Sequence, residues 1–455
     1  MTNEWHTLTA LELGQQIDQG TIDPVDLTHY FLLRIKELDP EHLIYVRLTE
    51  DRALSEARAA SLRAQNKQRR SPLDGVPISW KDLFDTAGIA TEAGAKILEG
   101  RVPADDAECL KRATRAGMIC LGKTNMPDVA FSGLGNNAWT GTGANPYDDQ
   151  VKRVPGGSSS GAALSVHHGL AAAAIGSDTA GSVRIPSAWC GITGLKTTHG
   201  LISLEGSVPL SPSQDTVGPL TKDIADANAI NAILSGTPPA DLKGATLKGT
   251  RILRATTVFD DLVEPEIKQQ IHAGLELLEA AGAEIVEKEV PVFQEILDAS
   301  AAHGSPANIE GNVLWADKIR ENPDGMFAPI AKRILSADNF KATGIVSFYM
   351  ALEGFQAKYL KQTEGFDLVV GATVPAPPPA LAPLYEDDAL YLKATMMSIS
   401  LTRLANLLGL CATSLPAGLV QGLPVGMMLM APPFGENKLL RLSKAAEMAL
   451  RPINA

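Results

Sequence analysis

The sequence predicts an α/β fold built as one large domain, and three observations carry that reading. Residues 250–290 run strand, helix, strand. Arg251-Ile252-Leu253 is a short apolar run, Ile267, Ile271, Leu275 and Leu278 form a helical stripe that stops at Gly282, and Ala283 to Val290 alternates again. That order is the mark of a parallel sheet. Second, the 455 residues contain no internal repeat and no linker long enough to divide them. Third, 45% hydrophobic and 20% charged residues is ordinary globular composition. Cys109, Cys120, Cys190 and Cys411 show neither a disulfide framework nor metal-site spacing, so the apolar core must carry the fold.

Along the chain, Thr9 with Glu12 has capping-box spacing and Gly20 is a plausible helix stop. Asp23-Pro24 then reads as an N-cap with proline at the first helical position, followed by a stripe of Val25, Leu27, Phe31, Ile35 and Leu38. Residues 50–66 form a third helix. Leu73 to Asp82 is a turn leading into a β-type run, Asp105 to Gly117 an amphipathic helix, and Met118 to Leu121 a buried strand. Residues 132–161 have loop composition, and the small residues of 161–174 fit a tightly packed helix. A proline-rich stretch covers 373–383.

Charge and composition exclude several function classes. The 40 basic and 52 acidic residues leave a net charge of −12, the opposite of a nucleic-acid footprint. The best membrane candidate, Gly161–Ile175, is mostly alanine and carries His167 and His168. A span needs about 20 strongly apolar residues, so no membrane partner is expected. The first twenty residues carry Glu4, Glu12 and Asp18 without the order of a signal peptide. Thiols without a framework suggest a reducing cytoplasm.

Three stretches invite chemistry. Gly117 to Thr124 matches the phosphate-loop pattern G-x-x-x-x-G-K-T. Its four middle residues look like the strand itself, and Pro127 stands where a helix should run, so the match reads as a strand leaving a helix. His167-His168 has no carboxylate one turn away, and adjacent helical positions point to different faces. Cys190 sits in an apolar setting that suits a buried structural thiol. The segment from Gly156 is different. Gly156-Gly157-Ser158-Ser159-Ser160-Gly161 and Gly176-Ser177-Asp178-Thr179-Ala180-Gly181-Ser182-Val183-Arg184 flank one small-residue stretch. Such loops let backbone N–H groups converge on an oxygen anion and carry hydroxyls that can act as nucleophiles.

This stretch resembles the signature of the amidase signature family of Ser-Ser-Lys hydrolases. Asp74 to Asp82 is similar to the family's lysine motif, and Gly122-Lys123-Thr124-Asn125-Met126-Pro127 to its next block. Asn145-Pro146, Asn406 to Leu410 and Leu423-Pro424-Val425-Gly426 also agree. The resemblance is strongest over 73–220, implied to be the catalytic core, and over 400–435, a return to that core. Residues 225–395 match only in texture and are expected to shape the substrate site.

The resemblance implies a mixed β-sheet covered by helices on both faces. It implies Ser182 as nucleophile, Ser158 as bridging serine after a cis Gly157–Ser158 bond, and Lys81 as terminal base. The N–H groups of Thr179, Ala180, Gly181 and Ser182 would form an oxyanion hole, with Ser132 at the substrate. Asp178 and Arg184 would hold the loop in shape. No cofactor and no metal are implied, the partner is a small-molecule amide, and a homodimer is allowed for.

A lysine base must be neutral at rest. Its pKa must fall from about 10.4 toward 7–8, a cost of roughly 3–4 kcal/mol that burial supplies. Ala180 stands where relatives have glycine, so negative φ is expected there, and Ser160 also departs from the family pattern. Three functions are weighed: a stand-alone amidase, the glutaminase subunit of a tRNA-dependent amidotransferase, and a nucleotide-binding module. The glutaminase subunit carries an acidic residue seven positions before its late asparagine to hold glutamine's amino group. Here Ile399 stands at that distance before Asn406. Asn406 to Cys411 and Ala180 also resemble enzymes that hydrolyse allophanate or carboxylated biuret.

Overall fold

The computed structural model describes residues 4–454. Its centre is one eleven-stranded sheet. In chain order the strands are β1 Tyr45–Leu48, β2 Pro77–Lys81, β3 Ile119–Thr124, β4 Ala173–Asp178, β5 Thr193–Lys196, β6 Thr216–Thr221, β7 Arg251–Ala255, β8 Glu284–Lys288, β9 Leu368–Ala372, β10 Cys411–Val420 and β11 Leu423–Ala431. They lie in the order β1-β3-β2-β4-β6-β5-β10-β11-β9-β7-β8. β2 runs parallel to β3 and β4, and β7 parallel to β8 and β9. The pairings between β4 and β9 through the centre are antiparallel. Helices cover both faces. One apolar cluster gathers the N-terminal helices with β2 to β4, and a second gathers β7 and β9 to β11 with the Pro265–Ala280 and Glu436–Asn454 helices.

Local chemistry set many of these elements. Thr9 and Glu12 form a reciprocal capping box ahead of the Ala10–Asp18 helix. Asp23 caps the Pro24–Leu38 helix with proline in its first turn. The strand–helix–strand unit is present as β7, the Pro265–Ala280 helix and β8.

Two expectations change. The helix expected over 161–174 spans only Ser160–His167, and Ala173–Asp178 is β4. Alanine favours a helix when nothing else decides. Here Ala173, Ala174 and Ile175 are wholly buried between β2 and β6, and small side chains fit that narrow slot. The buried strand expected at 118–121 continues to Thr124, which accounts for the false phosphate loop. Gly122, Lys123 and Thr124 are all ladder residues. Lys123 is fully buried, and its Nζ donates to Phe84 O at 2.5 Å and to Thr91 Oγ1 at 2.9 Å. No helix among the described residues is long and apolar enough to cross a membrane.

Candidate active site

β2 is buried at every position, and its last residue is Lys81. Parallel pairing places Trp80 opposite Ile175 of β4, so Lys81 and Ser177 arrive together at the carboxyl ends of neighbouring strands. That is where open α/β sheets gather their ligand-binding groups. Lys81 Nζ donates to Ser158 Oγ at 2.6 Å and to Ser177 Oγ at 2.8 Å. Lys81 and Ser158 are both wholly shielded from solvent. Burial pulls the Lys81 ammonium down to about 7, with Asp215 and Asp178 opposing part of the shift.

Ser158 follows a cis Gly157–Ser158 peptide bond. Gly157 fits there because a Cβ would stand 2.6 Å from Gly135 Cα and 3.0 Å from Ser132 O. Ser132 therefore backs the Ser158 loop, while its Oγ accepts from Leu134 N at 3.2 Å. Ser159 N donates to Ser182 O at 3.1 Å, which ties the first Gly/Ser loop to the second. Ser182 is 6% exposed. Among the described residues no hydrogen bond joins Ser158 Oγ to Ser182 Oγ, so the two serines share a site without touching through their hydroxyls at rest.

The loop that carries Ser182 is held from behind by a buried ion pair. Arg184 Nε and Nη2 donate to the Asp178 carboxylate at 3.0 and 2.9 Å. Asn406 Nδ2 donates to Asp178 Oδ1 at 2.9 Å, and Arg184 reaches Asn406 Oδ1 at 2.6 Å and Thr402 O at 2.8 Å. Burial opposes a charge on Asp178, but Arg184 and its other partners outweigh it and hold the carboxyl well below its usual range. A buried charge is tolerated when it is paired and hydrogen-bonded in this way.

Asp178 also takes the N–H of Gly181 at 2.8 Å and that of Val183 at 3.2 Å. The expectation for Gly181 changes accordingly: its N–H is committed to the carboxylate and does not stand free for an oxyanion. The N–H groups of Thr179, Ala180 and Ser182 make no hydrogen bond among the described residues. The left-handed backbone falls on Gly181, at φ 131°, and Ala180 is not among the positive-φ residues. A Cβ on Gly181 would meet Thr402 Oγ1 at 2.1 Å, while Thr402 Oγ1 donates to Ala180 O at 2.7 Å.

Three groups at this site escaped the sequence reading. Ser177 is the second acceptor of Lys81. Asp215 is buried, takes Thr179 Oγ1 at 2.5 Å and the N–H groups of Leu210 and Ser211, both at 2.9 Å, and is pushed up by burial. Thr402 bridges from the late segment. The available signal for Asp215 was an acidic residue immediately before the apolar strand β6, whose register sets Thr216 opposite Asp178. The other candidates lie elsewhere in role. His167 Nδ1 meets Cys190 O at 2.9 Å, and burial lowers its pKa. Cys190 is wholly buried, its Sγ donates to Pro155 O at 3.3 Å, and burial pushes the thiol up. Among the described residues no three His, Cys, Asp or Glu side chains cluster so as to hold a metal ion.

In front of Thr179 and Ala180 lies a cavity of about 340 Å³. Leu392, Met396, Ile399, Arg333 and Arg403 are among the residues that line it.

A sequence model of the family described as Amidase matches residues 26–440. The A subunit of the glutamyl-tRNA(Gln) amidotransferase of Pseudomonas fluorescens is 32% identical over 473 residues, covering 96% of each chain. Its counterpart in Anaeromyxobacter dehalogenans is 32% identical over 481 residues, covering 98% of this chain and 96% of its own. A crystal structure described as an amidase superposes with a TM-score of 0.88 at 28% identity, covering 97% of this chain and 100% of that one. Peptide amidase from Stenotrophomonas maltophilia superposes with a TM-score of 0.80 at 27% identity, covering 97% of each chain.

Proposed function

The chain belongs to the amidase family, whose members hydrolyse amide C–N bonds, and from that premise we propose that it cleaves a small carboxylic amide through an acyl-enzyme on Ser182. The observation that carries this reading is the buried Lys81–Ser158 contact of 2.6 Å beside the Ser182 loop. An amide carbonyl is a poor electrophile and a serine hydroxyl a weak nucleophile, so a base and an anion-stabilising pocket are both required. Neutral Lys81 takes the proton of Ser158, and Ser158 takes that of Ser182. The Ser182 Oγ forms the new C–O bond as the carbonyl electrons move onto oxygen. The N–H groups of Thr179, Ala180 and Ser182 receive that oxyanion.

When the tetrahedral adduct collapses, the C–N bond breaks. The proton returns along the same relay to the departing ammonia or amine, which leaves neutral Lys81 behind. Water then attacks the ester by the same route, giving the carboxylic acid and free Ser182. The relay needs Ser158 and Ser182 to come within hydrogen-bonding reach, and such contacts commonly tighten only when substrate is bound. Ser182→Ala tests the reading. Its kcat/KM should fall to near background, and retention above about a tenth of the wild-type value, a barrier change of only ~1.4 kcal/mol, contradicts the assignment.

A second reading has a specific observation behind it. The near-full-length likeness to the A subunits of glutamyl-tRNA(Gln) amidotransferases suggests a glutaminase that delivers ammonia within a complex with a tRNA-binding partner. Against it, the cavity presents Ile399 at the position where an acid would hold glutamine's ammonium. Glutaminase activity that emerges only with partner subunits would favour this second reading.

A further inference from the structure

Two carboxylates, Asp178 and Asp215, bear on the Lys81 ammonium, and they are held in opposite ways. Asp178 is neutralised by Arg184, which donates to it twice, and Lys196 adds a further positive charge beside it. Asp215 has no such partner. Among the described residues it makes no salt bridge, and neutral donors alone hold its carboxylate. Thr179 Oγ1 donates to Oδ1 at 2.5 Å, and Leu210 N and Ser211 N donate to Oδ2, both at 2.9 Å. Two more titratable groups flank this loop. His199 Nδ1 meets Asp215 O at 2.9 Å, and Glu310 takes Ser211 Oγ at 2.8 Å and Ser213 N at 3.0 Å. Neither hydrogen-bonds to the Asp215 carboxylate.

Sheet register brings this carboxylate toward the base. β4 and β6 pair so that Asp178 stands opposite Thr216. One step further sets Thr179 against Asp215, as their hydrogen bond requires. Ser177 accepts from Lys81 Nζ at 2.8 Å, and it lines one chamber of about 10 Å³ together with Thr179, Ser207 and Asp215. That is room for about one water molecule, so bulk water screens the Asp215 charge little. In the proposed relay Lys81 gains a proton as Ser182 attacks, and a positive charge then appears where solvent is excluded. A buried charge without a counter-charge is costly. The charge of Asp178 is already balanced, which leaves Asp215 to meet the new cation.

We propose that Asp215 is the counter-ion of protonated Lys81, a positioning residue that acts through the base and keeps it basic enough to accept the proton of the Ser158–Ser182 relay. This deepens the amidase reading and rests on it, because it has meaning only if Lys81 is the base. Burial pulls the lysine down to about 7, and Asp215 opposes that fall ahead of Asp178. Asp215 also fixes Thr179, whose N–H is one of those proposed to receive the oxyanion. A change at 215 therefore has an electrostatic and a structural consequence, and only the first moves a pH profile.

Asp215→Asn separates the two. The amide is isosteric, its oxygen keeps the N–H groups of Leu210 and Ser211, and its nitrogen donates to Thr179 Oγ1, so the charge is what is lost. The readout is the rate at which a fluorophosphonate probe modifies Ser182 between about pH 5 and 9, which needs the base but no amide substrate. In that step the Ser182 Oγ–P bond forms, fluoride leaves, and the serine proton passes through Ser158 to Lys81. Wild type should lose rate through an acid limb near 7. Asp215→Asn should move the limb to lower pH by about one unit or more, because removing a nearby anion disfavours the ammonium. The alkaline plateau should fall ~10-fold, because a weaker base accepts the proton less readily. Asp215→Glu, which keeps the charge, should return the limb most of the way to wild type. Asp215→Ser, a smaller side chain that keeps an acceptor and removes the charge, must show the same displacement and stands in if Asp215→Asn does not fold. A lower plateau with the limb unmoved, in variants that melt as wild type does, would show that Asp215 only braces the loop and would overturn the proposal. A limb displaced upward, or displaced equally by Glu and Asn, would overturn it too. A wild-type rate with no acid limb removes the lysine base and the proposal together. A wild-type limb near 7 that ignores position 215 leaves the amidase reading standing and overturns the counter-ion alone.

Discussion

In the proposed relay Lys81 can serve as a base only because of where β2 leaves it. With its ammonium pulled down to about 7 by burial, it is neutral above that pH and protonated below it. Protonation removes the proton acceptor, so activity is present on the alkaline side and lost as pH falls through about 7. The acid limb of kcat/KM should follow one apparent group near neutrality, and a profile flat from about pH 6 to 9 would contradict a lysine base. Two neighbouring positions should respond in opposite ways to similar changes. Gly181→Ala forces a side chain into a backbone of φ 131° and onto Thr402, and should cut kcat/KM by at least an order of magnitude or so. Ala180→Gly should be nearly silent, because that backbone never needed glycine, whereas Ala180→Val should crowd the cavity. Kinetics of the three variants check this together, and an unimpaired valine variant would show that the side chain does not face the substrate. At this scale the sequence was most legible. Lys81, Ser158 and Ser182 stand in local motifs, and motifs survive without knowledge of the fold. Asp215 and Ser177 were not legible, because having a partner is a property of tertiary neighbours.

Between elements, the decisive link joins the 178–184 loop to the 402–406 segment through Arg184, Asp178 and Asn406. Arg184→Met would strand a buried carboxylate, and removing one partner of such a pair costs about 3–5 kcal/mol. A clear drop in the unfolding midpoint is expected, with residual activity falling through kcat more than through KM because the loop, not the cavity, loses its brace. A variant as stable as wild type would show that the pair does not hold the loop. The phosphate-loop match belongs to this scale as well. With Lys123 in a buried ladder, magnesium-ATP should leave the melting temperature unchanged, and a rise that grows with nucleotide concentration would contradict that placement. Sequence patterns read the capped helices well because capping is local. They misread Ala173 and Ala174 as helix because helix propensity is weak beside the burial of a strand between two others. β10 and β11, at ten and nine residues the longest strands, gave no distinct sign, since nearly continuous apolar runs lack the alternation that marks a half-exposed strand.

At the scale of the molecule, the sheet order brings residues 81, 158, 177–182, 215 and 402–406 to one place, and no window of sequence contains them all. The parallel pairing of β2 and β4 sets base and loop at one end, and the antiparallel centre returns the late segment to them. The edge strand β8 is exposed or half-exposed throughout, while β4 is buried throughout. Amide exchange should therefore be fast in β8 and slowest in β4 and its neighbours.

Every step of the proposed chemistry depends on Ser182 carrying the acyl group. The most direct measurement is intact-mass analysis with peptide mapping of enzyme acid-quenched during turnover of a slowly deacylating substrate. The expected result is an added acyl mass that maps to Ser182, is absent from Ser182→Ala and is released by hydroxylamine as the hydroxamate. An adduct on another residue, or continued hydrolysis by Ser182→Ala with no adduct at all, would contradict it.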